Sequence, residues 1–119
     1  MASVALLCPD LLFGSKVEGA LRAAGHDVTR YDREDGVRAA VADSQVLLVD
    51  LNEDRYDGAA LVEGLRTDGA LEGVAAVGFY SHVDQDTRRR AERAGYDLVV
   101  PRSRMARETA VVVEGALTR

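Results

Sequence analysis

Few side chains in this chain could do chemistry, and they gather in four short stretches. These are Cys8-Pro9-Asp10, Asp50 to Asp54, Phe79-Tyr80-Ser81-His82 and Pro101-Arg102-Ser103. Asp50 closes the run Val46-Leu47-Leu48-Val49, so its carboxylate stands at the end of a buried segment. There it either acts on something brought to it or is tied to nearby backbone or to Arg102. Asp10 offers a second carboxylate, or simply caps the helix after it. Ser81 and His82 are neighbours in sequence, which does not make a catalytic dyad, and no third member is evident. Gly14-Ser15-Lys16 lacks the upstream glycine that a phosphate-cradling loop needs. Cys8 is the only cysteine, which excludes a disulfide scaffold and a cysteine zinc site. It reads as a small buried hydrophobe.

Alternating elements must place these stretches. Val4 to Cys8 is a compact apolar run ended by Pro9, a buried strand. Residues 11–24 carry Phe13, Val17, Ala20, Leu21 and Ala24 at helical spacing, and Gly25 stops them. Residues 27–31 form a short strand and 33–42 a weak helix. Residues 45–50 are the clearest strand. Then come a helix over 57–67, a strand over 73–79, a polar helix over 84–94 ended by Gly95, and a strand over 98–100 cut by Pro101. A last helix over 104–118 turns Met105, Ala106, Ala110, Val113 and Leu117 inward. Five apolar strands with helical crossovers give an α/β, doubly wound parallel sheet, helices on both faces. In such a sheet function collects at the carboxyl ends of the strands, where all four stretches fall.

Leu11-Leu12-Phe13 cannot all face inward on one helix, since neighbours are about 100° apart. With Phe13 and Val17 inside, Leu11 or Leu12 stands at the rim of the strand ends as a contact surface. The charge is uneven: residues 1–80 carry seven basic and fourteen acidic side chains, residues 81–119 eight and six. Arg88, Arg89, Arg90 and Arg93, with Arg102, Arg104 and Arg107, are expected to form a basic face. Arg89 and Arg93 share one side of their helix, as do Arg90 and Arg93. Such a face needs local acids such as Asp86, or a partner. Overall the chain is acidic, net −5 with a pI near 5.0, and no aromatics interleave with the arginines, so a nucleic-acid partner is not expected. No apolar run reaches the roughly 20 residues of a membrane span, and no basic flank precedes the first apolar stretch. A single cytoplasmic domain over 1–119 is expected.

Asp50-Leu51-Asn52-Glu53-Asp54-Arg55-Tyr56-Asp57-Gly58 resembles the corresponding stretch of bacterial response-regulator receiver domains. Those proteins place a phospho-accepting aspartate at the end of the third strand and an Asp-Gly seven residues on; Ala94-Gly95 also fits. The resemblance covers nearly the whole chain. It implies a flavodoxin-like sheet of strand order 2-1-3-4-5, with Asp50 as the phosphoacceptor equivalent. Receivers hold magnesium with an acidic pair that falls here on Cys8 and Pro9, neither a hard oxygen donor. Asp10 comes one residue late. The family's small hydroxyl falls on Tyr80, with Ser81 next, and its lysine on Arg102, which keeps the charge but not the compact point-charge geometry.

The resemblance therefore points to an atypical, pseudo-receiver member. The expected function is a stand-alone signalling and protein-interaction module with a degenerate phosphorylation site. It would have no enzymatic activity, no cofactor, and a protein partner or homodimer as output. Leu11, Leu12, Arg89, Arg93 and Arg104 are the candidate interface. Two alternatives stay open. One is a working phosphoacceptor, where Asp10 and Asp50 share a magnesium ion. The other is a small-ligand binder using the strand-end cleft.

Overall fold

The computed structural model describes residues 1–118. Five strands, β1 (Ser3–Leu7), β2 (Asp27–Tyr31), β3 (Val46–Asp50), β4 (Ala75–Tyr80) and β5 (Leu98–Pro101), form one parallel sheet. Their order is β2-β1-β3-β4-β5, and the sheet is flavodoxin-like in its receiver form. The helices are α1 (Leu11–Ala23), α2 (Glu34–Ala40), α3 (Gly58–Thr67), α4 (Gln85–Ala94), α5 (Arg102–Arg107) and α6 (Thr109–Leu117). Side chains alternate along each strand, so one apolar run feeds two cores. Val4, Leu6, Leu48, Val77 and Phe79 pack with Val17 and Leu21 of α1, Met105 of α5 and Val112 and Val113 of α6. Ala5, Leu7, Leu47, Val49 and Ala76 pack with Val37, Leu61, Val62, Leu65 and Ala91 on the opposite face.

Capping explains where the helices start. Asp10, Asp57 and Asp84 each accept the backbone N–H three residues on, from Phe13, Ala60 and Thr87. Gly95 ends α4 with φ of 107°, where a Cβ would also run into the Arg66 side chain. The element bounds shift by one or two residues from the sequence expectation. The weak second helix shortens to α2, followed by a 3-10 turn over Val41–Asp43.

The last helix is a correction. Residues 104–118 do not form one helix, because Glu108, at φ −130° and ψ 39°, separates α5 from α6. Beyond it the Thr109 hydroxyl donates to the Met105 carbonyl, one turn back. Downstream, Thr109, Val112, Val113 and Ala116 are buried, while Ala110 is half-buried and Leu117 exposed. The helix also begins earlier than expected, at Arg102, directly after Pro101.

Candidate functional site

Asp50 ends β3 in the centre of the sheet and is only 2% exposed. Its Oδ1 accepts the Asn52 N–H at 3.1 Å, and its Oδ2 accepts from Nη1 of Arg102 at 2.9 Å. Nη2 of the same guanidinium donates to Oδ2 of Asp10 at 2.7 Å. One cation thus bridges the two carboxylates. Asp10 caps α1 with Oδ1, one of the two readings open for it, and turns Oδ2 to Arg102. The short helix α5 makes this possible, since its first residue is Arg102 and β5 ends beside β4.

Two aromatic rings support the guanidinium. Its central carbon stands 4.2 Å from the Phe13 ring centroid and 5.8 Å from that of Phe79. The two rings pack against each other at 5.2 Å. Arginine suits this place because its flat, weakly hydrated plane stacks on rings while its edge forks to carboxylates. Tyr56 roofs the opposite side, its hydroxyl donating to the Asp50 carbonyl at 2.7 Å. Burial raises the Tyr56 phenol, so it stays a donor. Sγ of Cys8 lies 3.8 Å from Oδ2 of Asp50, and burial pushes that thiol up to about 12. Cys8 is a neutral neighbour and no nucleophile.

Asn52 ties this centre to the next loop. Its side-chain oxygen accepts the Ser81 N–H, and its Nδ2 donates to Asp84 at 2.9 Å. Asp84 also accepts from the Thr87 hydroxyl at 2.6 Å, which holds its carboxyl below the usual range. Arg90 grips Asp57 with both nitrogens, at 2.9 and 2.6 Å, and joins α4 to the start of α3. That fork holds the Asp57 carboxyl low as well.

The foreseen residues divide cleanly. Asp50, Asp10 and Arg102 come together. Tyr80 is buried and Ser81 half-buried, but among the described residues Asp50 accepts side-chain hydrogen bonds from Arg102 and Cys8 alone. Leu11 and Leu12 are both at the rim, 64% and 84% exposed. The expected basic face is largely answered from within. Arg88 meets Glu92, Arg89 meets Asp86, Arg90 meets Asp57, and Arg104 lies 3.8 Å from Glu108. Arg90 turns toward α3 and, as expected, shares a side with Arg93, the two lining one groove with Ala59, Ala60 and Glu63. Phe13 was read as a core residue and Asn52 and Tyr56 only as part of the resembling stretch, so none was given a role at the site. Phe13 could have been, as an aromatic three residues after a strand-end acid and able to stack on an arginine.

A divalent cation does not fit these residues. Magnesium asks for several hard oxygens in near-octahedral array. Cys8 and Pro9 supply none, and the facing oxygens of Asp10 and Asp50 are held by Arg102. Among the described residues no group of three or more potential ligands gathers.

The electrostatics of Asp50 give a test. Burial raises its pKa above the ordinary 3.8, and Arg102 and the Asn52 N–H counter only part of that. The fold thus prefers the neutral acid. That contribution is full below the unfolded pKa and is lost as pH rises through the raised one. Asp50→Asn fixes a neutral side chain, and Arg102 keeps Asp10 as its partner. We expect the variant to lie within about 1 kcal/mol of the parent near pH 7. It should gain on the parent as pH rises from the ordinary carboxylate range toward neutrality. Urea unfolding of both proteins across that range checks this. A loss that grows with pH would mean that the ion pair outweighs burial.

No known protein-family profile matches the chain, and no curated protein matches it. Solved structures do. The receiver domain of Francisella response regulator 1452 superposes with a TM-score of 0.85 at 14% identity, over 100% of this chain and 98% of that one. The chemotaxis response regulator CheY4 of Vibrio cholerae gives 0.83 at 17%, over 98% and 99%. NtrX of Brucella abortus gives 0.83 at 23%, where 98% of this chain spans 27% of that protein. The likeness runs the length of the chain and identifies its fold as that of the receiver domains of response regulators.

Proposed function

We propose that this protein is a receiver-like signalling module that works through protein contact, with a phosphorylation site that has lost its chemistry. The observation that carries this reading is the Arg102 guanidinium between Asp10 and Asp50. Phosphoryl transfer to a carboxylate brings two anions together and needs a cation that can also coordinate the incoming group. Here the cation belongs to the chain, donates to both carboxylates, and lies against two rings. The acceptor carboxylate is buried under it. The clamps from Asn52 to Asp84 and from Arg90 to Asp57 hold the loop after β4 and the helix α4 in one place. Such a site supports a constitutive conformation better than a switched one. A protein partner, or a second copy of the chain, takes the role of output.

Intact mass after incubation with acetyl phosphate and magnesium tests the reading. No gain of phosphate is expected. A stoichiometric gain of one phosphate that disappears in Asp50→Asn would overturn it.

A further inference from the structure

Helix α6 is apolar on nearly every side. Of its nine residues only Glu114 is charged. A helix apolar all round is normally covered all round. The inner side of α6 is covered, by the sheet and α1. Its outer side is open, with Val111 59% exposed. A Cβ placed on Gly115, beside Val111, would meet nothing within 4 Å, and the same holds for Gly19 on the adjoining α1. Glycine weakens a helix, so its presence inside one calls for a close neighbour. Gly14, Gly36 and Gly58 have one, in Arg30, Tyr31 and Leu51. Gly19, Gly64 and Gly115 do not, and two of these three lie on the α1–α6 side.

The charges on this side say what would cover it. Arg107, the last residue of α5, and Val111, Glu114 and Thr118, on and just after α6, are all exposed at spacings of four, three and four, an outward stripe that crosses the bend at Glu108. Its two charges are opposite in sign and stand at opposite ends. Arg107 is 69% exposed in its side chain, and its ion pair is a 3.4 Å contact with the adjacent Glu108. Glu114 places Oε2 2.8 Å from Nε2 of His26, while Oε1 has no hydrogen bond or ion pair among the described residues. Such a stripe is complementary to itself when reversed. Two copies crossing antiparallel about Ala110 and Val111 set each Arg107 against the Glu114 of the other copy. A parallel pairing would set arginine against arginine. Two-fold pairing is the commonest protein symmetry, and it requires such self-complementarity.

We infer that the outer face of α6, flanked by α1, binds a second copy of this chain in antiparallel register. This names the partner in the reading above and rests on it for its purpose, but it places the contact away from α4. It also stands apart from the phosphate chemistry, which the mass experiment decides alone.

Sedimentation velocity over a wide concentration range is the test, with melting temperature read alongside. A concentration-dependent dimer is expected, weaker at high salt because its flanking ion pairs are exposed. Val111→Lys should raise its dissociation constant at least ~10-fold. Gly115→Gln should do the same while the melting temperature holds or rises, since glutamine is the better helix former. Arg107→Glu should dissociate it, and Arg107→Glu with Glu114→Arg should restore it. A monomer at every concentration overturns the inference. So does a dimer that survives both Val111→Lys and Gly115→Gln, or one that dissociates on charge reversal at Arg89 and Arg93.

Discussion

Replacing Arg102 with methionine should destabilise the protein by about 2–3 kcal/mol near pH 7, roughly 10 °C in melting temperature for a chain of this size. Methionine keeps much of the apolar stem against Phe13, so the change isolates the charge. Without the guanidinium, Asp50 is a buried carboxylate whose remaining strong donor is the Asn52 N–H. Its pKa, already raised by burial, should rise further. The penalty should therefore shrink as pH falls below the new value and the acid becomes neutral. The same logic predicts a rescue. Arg102→Met combined with Asp50→Asn should recover most of the loss, because the second change removes the charge that the first left bare. A double-mutant cycle by urea unfolding measures this coupling. Additive losses would mean that the two side chains do not act as a pair.

The second large effect is expected at Phe79. It is fully buried at the end of β4, packs on Phe13 at 5.2 Å, and lies under the Arg102 guanidinium. Phe79→Ala removes a ring from a close-packed core and should cost about 3–5 kcal/mol. That is a large share of the 5–15 kcal/mol that typically separates folded from unfolded chains. The loss should exceed that of an isolated core residue, since the ring also backs Phe13 and, through it, the bridge to Asp10 and Asp50. Phe79→Leu keeps most of the volume and should cost below about 1.5 kcal/mol. The check is the urea midpoint with an unchanged slope. A similar small loss in both variants would mean that the ring platform contributes nothing.

These two residues also mark what the sequence could disclose. The strands were legible because four of them are short, nearly continuous apolar runs bounded by acids, glycine or proline, a pattern only a doubly covered parallel sheet demands. The strand order rested on the resemblance in the Asp50 to Gly58 stretch, and the sheet has that order. The pairing of Arg102 with Asp50 was one of two readings open for that carboxylate. What could not be read was three-dimensional economy: that a single guanidinium would serve two carboxylates, with Asp10 capping a helix at the same time. The break at Glu108 was equally hidden. Residues on both sides of it favour a helix, and nothing in their types marks the one residue whose backbone leaves it. The pairing of the α4 arginines was hidden for a related reason. Their acids lie three or four residues away or, for Arg90, on α3, and only the fold shows which arginine meets which acid.

The rims of the sheet have a consequence for how this protein can meet others. β5 is an edge strand of four residues that ends on Pro101, which has no N–H to offer an incoming strand. At the other edge, β2 carries Asp27 and Arg30, and its Val28 carbonyl is taken at 2.7 Å by the Arg22 guanidinium from α1. Short length, proline and charge at an edge all discourage further strand pairing. The sheet is thereby guarded against growing sideways into aggregates. The same guard removes strand addition from its means of recognition, and leaves the helix surfaces and the loops at the strand ends to make every specific contact.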